Sequence, residues 1–168
     1  DGGSWYGADG TGDAGDGRYE PSQEWSSAGT GNMESIYTWD KAFDGVLDNP
    51  DNFALPQANQ GGANWSGNAV TNGSPVVLYY RCQDQATSEI KVNNSAVNLD
   101  ESGAGTLTIF TVDITALAGS ELQTLEINRT KGPNGAIGIL GITIDGKPLV
   151  NTSIPGAQGE TTVSKTVS

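Results

Sequence analysis

The chain has 168 residues, 24 of them glycine, with only 17% charged residues, a formal net charge of −12 and no histidine. That length supports one cored domain rather than two. The acidic excess, with no cluster of Lys or Arg to offset it, disfavours nucleic-acid phosphates and anionic membrane surfaces as partners. No apolar run approaches the roughly 18 residues of a membrane-spanning helix. Without histidine, Ser-His-Asp and Cys-His catalysis is excluded.

Residues 1–18, DGGSWYGADGTGDAGDGR, carry too little apolar surface to order themselves and read as an arm or linker, with Trp5-Tyr6 as an aromatic pair able to pin it to a neighbour. Asp9, Asp13 and Asp16 lie close together there but lack the regular spacing of a calcium loop, so a solvated linker is expected. The start at Asp1 without a methionine is expected to reflect processing or excision from a longer polypeptide.

Residues 19–151 read as the folded domain. Its first part, 19–70, holds Trp25, Trp39, Phe43, Phe53 and Trp65 among loop residues, with few clear strands. Aromatics at this density are expected to plug the sandwich and hold long loops down. Trp65 lies between Gly61-Gly62-Ala63-Asn64 and Ser66-Gly67, neighbours with no core of their own, and is expected to be the most exposed. Trp65 with Asn64 is therefore the candidate sugar-stacking site. Within Asp40–Asp51 (DKAFDGVLDNPD), Asp40, Asp44, Asp48 and Asp51 crowd beside Phe43 with only Lys41 to offset them. Such a loop is electrostatically costly unless a cation neutralises it, which makes these four the candidate Ca²⁺ ligands, against a solvated acidic loop as the plainer alternative.

Strands follow in quick succession. Val76–Cys82 is a nearly continuous apolar run, suited to a central strand, and the lone Cys82 within it reads as a buried inert thiol. Ser88–Val92 alternates Glu and Lys outward with Ile90 and Val92 inward, and Asn93-Asn94-Ser95 predicts a turn into a returning strand over Ala96–Leu99. Thr106–Val112 alternates apolar residues with threonine. Asp113-Ile114-Thr115 breaks this pattern and leads into a loop ending at Gly119. Leu122–Arg129 alternates again, Lys131–Gly135 is a turn, and Ala136–Ile144 is apolar, with Gly138 and Gly141 permitting a close backbone approach or a bulge. Asp145-Gly146 is the clearest hairpin signal and precedes Lys147–Val150. Residues 152–168 return to small, polar linker chemistry. Six or seven short strands spaced by turns predict an all-β fold, a β-sandwich or jelly roll.

Enzymatic signals are weak. The carboxylates fall mostly in Gly-rich segments or turns where they stay solvated, and no P-loop, GxSxG or HExxH pattern occurs. A carboxylate-pair hydrolase is the least favoured reading, and no catalytic residue is assigned.

Two phrases carry a resemblance. Ser22-Gln23-Glu24-Trp25-Ser26-Ser27 followed by Trp39–Gly45 (WDKAFDG) resembles the opening of a β-sandwich repeat in structural proteins of marine, especially cyanobacterial, bacteriophages. Ile142–Val150 (ITIDGKPLV) resembles the closing phrase of that repeat, and Glu89–Asn93 fits its middle. The Ala42–Gly45 phrase is also similar to galactose-binding-like, discoidin-type jelly rolls, where it precedes a loop that often holds calcium or sugar. The resemblance spans about residues 22–151. It implies a virion structural module, a tail-fibre or appendage domain or a capsid decoration. The expected partners are other virion subunits, a further copy of the chain, and a host-surface glycan. The alternative is a calcium-assisted carbohydrate-binding module of a secreted bacterial protein. The repeat implies no ligand residues. The 52–70 insertion and the acidic arm depart from its pattern and are candidate contact surfaces.

Overall fold

A computed structural model describes residues 31–34, 36–57, 62–82, 88–100, 108–129 and 137–150. The expected arm at 1–18, the 131–135 turn, the 152–168 linker, the Asp9/Asp13/Asp16 group, and Trp5 and Trp25 lie outside the described residues.

The strands are β1 (Gly62–Val70), β2 (Val76–Cys82), β3 (Ser88–Val92), β4 (Ser95–Ala96), β5 (Ile109–Asp113), β6 (Glu121–Arg129), β7 (Ile137–Ile144) and β8 (Lys147–Pro148). They form two antiparallel four-stranded sheets, ordered β1-β6-β3-β4 and β5-β2-β7-β8. Apart from the β3-β4 and β7-β8 hairpins, consecutive strands lie in opposite sheets. The core lies between the sheets, where Trp65, Leu125, Ile127 and Ile90 of the first join Leu78, Tyr80, Ile139 and Ile142 of the second. The expected β-sandwich is the observed architecture.

Period-two patterning explains most of this. In β2, Val76, Leu78, Tyr80 and Cys82 are buried while Val77, Tyr79 and Arg81 face away, and the strand is central as expected, between β5 and β7. Both hairpins turn through paired left-handed residues, Asn93-Asn94 (φ 49° and 71°) and Asp145-Gly146 (φ 54° and 79°), the geometry that matches the twist of two-residue hairpins.

Three sequence expectations are corrected. The returning strand at 96–99 pairs only over Ser95–Ala96, although Val97 N–H still bonds Ile90 C=O at 2.9 Å. The loop after Asp113 contains one helical turn, α1 (Thr115–Ala118), which ends at Gly119 with φ 63°. Asp113 accepts the Thr115 N–H at 2.8 Å, and the Thr115 hydroxyl accepts the Val76 N–H at 2.9 Å, which ties α1 to β2. The largest correction is β1, nine residues within a segment read as loop. Its period-two pattern is present, with Ala63, Trp65 and Ala69 buried and Asn64 and Ser66 exposed, but small residues and two glycines dilute it.

Residues 33–34 and 36–57 pack against the second sheet. Ala54 exchanges backbone bonds with Ile139 (2.8 and 3.1 Å), and Met33 bridges Pro56. Gly138 and Gly141 provide the expected close approach. A Cβ at Gly138 would meet the Phe53 ring at 2.3 Å, and one at Gly141 would meet the end of the Leu47 side chain at 2.4 Å. Arg129 closes the junction from the other sheet, donating to Glu34 at 3.1 Å and to the Pro56 C=O at 3.0 Å.

Tyr80 spans the connection between the sheets. Its buried hydroxyl donates to the Asp100 C=O at 2.8 Å and accepts the Asp100 N–H at 2.7 Å. Tyr80→Phe is expected to cost about 1–2 kcal/mol, read as a lowered urea midpoint, because two backbone groups lose one shared partner. An unchanged midpoint would show that water replaces the hydroxyl without penalty.

Candidate functional site

The residues expected to bind sugar do not converge. Trp65 and Asn64 are adjacent on β1, and a strand sends adjacent side chains to opposite faces. Trp65 is 1% exposed, contrary to the expected platform. Its ring packs on Phe43 with centroids 4.9 Å apart, and Phe43 in turn stacks on Trp39 at 6.4 Å. Gly67 makes room for the indole, since a Cβ there would lie 2.2 Å from the ring. The neighbours that suggested exposure are the small residues that let a large ring lie flat in the core.

Asn64 points outward into a polar face of the first sheet. It stands opposite Glu126, which stands opposite Lys91 on β3, and Ser66 stands opposite Thr124. On the same face the Asn128 amide donates to Glu126 at 2.7 Å and to Glu89 at 3.2 Å. The face offers amides, carboxylates and hydroxyls, while the aromatic expected beside Asn64 lies beneath the sheet.

Of the four aspartates, Asp40, Asp44 and Asp51 are turned toward separate partners. Trp39–Ala42 forms a 3-10 turn whose Trp39 and Ala42 are buried. Asp40 accepts the Thr38 hydroxyl at 3.0 Å. Asp44 accepts the Val46 N–H at 3.0 Å and the Asn52 amide at 3.0 and 3.3 Å. Asp51 faces Arg81 at 3.6 Å, while Arg81 also donates to the Pro50 C=O and lies 5.3 Å from the centre of the Phe53 ring. Phe53 stacks on Tyr37 at 4.5 Å. Carboxylates turned toward N–H groups and a guanidinium do not form a calcium cage, and among the described residues no three such side chains are placed to hold a metal ion. The grouping of Asp40, Asp44, Asp48 and Asp51 as shared ligands thus does not fit this geometry.

Burial raises the pKa of Asp44 above its ordinary value, and the Val46 N–H, Asn52 and Lys41 oppose that rise. A raised folded-state pKa means that the folded chain binds the proton more tightly than the unfolded one. The resulting stabilisation is full below the ordinary carboxylate pKa and is lost as pH rises through the raised value. Asp44→Asn is therefore expected to match or exceed the wild-type melting temperature at pH 7, with the difference shrinking on acidification. A melting temperature that falls at pH 7 would assign the ionised carboxylate a stabilising role.

Sequence reasoning identified the 93–95 turn but missed what Asn93 does. Its amide nitrogen donates to the C=O groups of Leu117, Ala118 and Glu121 at 3.0–3.1 Å. Its oxygen accepts the N–H groups of Gln123 and Thr124 at 2.8 and 3.1 Å. One side chain thus joins the β3-β4 turn, the end of α1 and the start of β6. The only sequence signal is the Asn-Asn pair, which reads equally well as a plain turn.

No protein-family model matches the chain, and no curated protein matches it. Among solved structures, an FMN-binding beta-glucuronidase from Facaelibacterium prausnitzii L2-6 is similar at 17% identity over 63% of this chain and 19% of that one. The chain thus corresponds to about a fifth of that enzyme's length, and the TM-score of 0.32 is too low to carry a conclusion about fold or activity.

Proposed function

We propose that the chain is a non-catalytic structural module of a bacteriophage virion, a tail-fibre, appendage or capsid-decoration domain of galactose-binding-like jelly-roll type that works through contacts with other subunits. The single observation carrying this choice over the carbohydrate-binding alternative is the burial of Trp65 against Phe43 and Trp39. Tyr37, Tyr79 and Phe110 are half-buried, and no described tryptophan reaches the surface as a stacking platform. The alternation of consecutive strands between sheets supports the jelly-roll winding.

The test is immunogold electron microscopy with antibody raised against the purified chain. Regular labelling of phage particles from the source lysate is expected. Gold confined to cell surfaces or secreted material, with bare particles, would overturn the proposal in favour of an extracellular module.

A further inference from the structure

The four sheet edges are not equally protected. At the β1 edge the register shifts between Ser66 and Ala69, a bulge that disrupts edge pairing. At the β4 edge the strand is only Ser95–Ala96. At the opposite end of the second sheet, β8 is the two residues Lys147–Pro148, a charge and a residue without an N–H, and Ala54 occupies the β7 edge beside it. The fourth edge, β5, lacks all of these devices. It runs five residues, Ile109-Phe110-Thr111-Val112-Asp113, with no bulge against β2, no proline, and no charge before its last residue. Among the described residues only β2 pairs with it. Phe110 and Val112 point toward the core but remain half-buried there, with Phe110 stacked on Tyr80 at 5.6 Å.

We infer that β5 is an assembly edge that pairs antiparallel with β5 of a second copy of this chain, joining two second sheets into one continuous eight-stranded sheet. This rests on the structural-module reading and gives that module a contact. The strand is self-complementary about its centre, exposed Thr111. A twofold axis there sets Thr111 against Thr111, Phe110 against Val112, and Ile109 against Asp113 of the other copy, so no like charges oppose. Each copy covers the half-buried Phe110 and Val112 of the other. From Ile109 to Val112 the strand carries no charge on a chain of net charge −12, which suits a second copy, because a basic partner would find only the terminal Asp113, already engaged by the Thr115 N–H, as a counter-charge. Five residues make a small interface, so the pairing is weak in solution, with Kd of about 1 μM to 1 mM, and is reinforced by avidity in an array.

The test is sedimentation equilibrium of the full chain across that range, with amide hydrogen exchange. Wild type is expected to dimerise reversibly, with exchange at 109–113 slowing as concentration rises. Thr111→Lys, at an exposed position, is expected to fold with an unchanged melting temperature and to raise Kd at least tenfold, about 1.4 kcal/mol or more. An equimolar mixture with Thr111→Glu is expected to restore dimers by pairing opposite charges. A wild-type chain monomeric at 1 mM, or a Thr111→Lys Kd equal to that of wild type, would overturn the inference. Labelled particles together with a monomeric chain would overturn the pairing and leave the virion assignment standing.

Discussion

Trp65→Ala is expected to destabilise the chain by about 3–5 kcal/mol in equilibrium urea unfolding, one of the largest single losses available in the sandwich. The indole is almost completely buried, so its removal leaves a cavity as well as forfeiting transfer free energy. It also deprives Phe43 of an aromatic neighbour at 4.9 Å, worth about a further 0.5–1.5 kcal/mol. Because Phe43 and Trp39 stack in series and belong to the segment that crosses onto β7, the effect should extend to that segment as faster amide exchange at Trp39–Phe43 and Phe53–Leu55. Trp65→Phe should recover much of the loss. A cost below about 1 kcal/mol, typical of surface positions, would mean that the ring is solvated and that the platform reading stands.

Asn93→Asp changes one atom, yet is expected to cost about 3 kcal/mol at pH 7. The substitution replaces the nitrogen that serves three carbonyls with an oxygen that repels them, while the N–H groups of Gln123 and Thr124 keep an acceptor. Asparagine and aspartate tolerate the left-handed backbone (φ 49°) comparably, so the backbone term cancels and the difference isolates the donor. Lowering the pH protonates the aspartate and returns one donor, so the penalty should shrink below its pKa. Asn93→Ala should cost at least as much, since it also removes the acceptor for the Gln123 and Thr124 N–H groups, and alanine tolerates the left-handed backbone less well than asparagine. A loss under about 1 kcal/mol for both variants, measured by chemical denaturation, would mean that water substitutes freely for the side chain.

The sequence expectations succeeded where patterning is strong and local. Val76–Cys82 and Ser88–Val92 match β2 and β3 at both ends, because alternating burial and flanking turn residues define them without reference to the rest of the chain. β1 was missed because Ala63, Gly67 and Ala69 leave its inward face with one large residue, and glycines flanking a tryptophan read as loop. The same misreading made Trp65 an exposed residue. What decides its position is a cavity floored by Gly67 and walled by Phe43, 22 residues earlier in the chain, and no local window contains that information. The aspartates failed in a related way. Four carboxylates in a dozen residues look like ligands, but Asp44 is oriented by Asn52 and Asp51 by Arg81, which arrives from β2. Asn93 shows the converse limit, since its five partners lie 24 to 31 residues away and a turn signal cannot report them.

The central claim is that Trp39, Phe43 and Trp65 build an interior, which favours a structural module over a sugar-stacking surface. Hydroxyl-radical footprinting with peptide mass spectrometry tests it residue by residue. In the native chain, Trp39 and Trp65 should resist oxidation and become reactive only in denaturant. Oxidation of native Trp65 at the rate of the unfolded chain would contradict the account and return the residue to the surface as a binding platform.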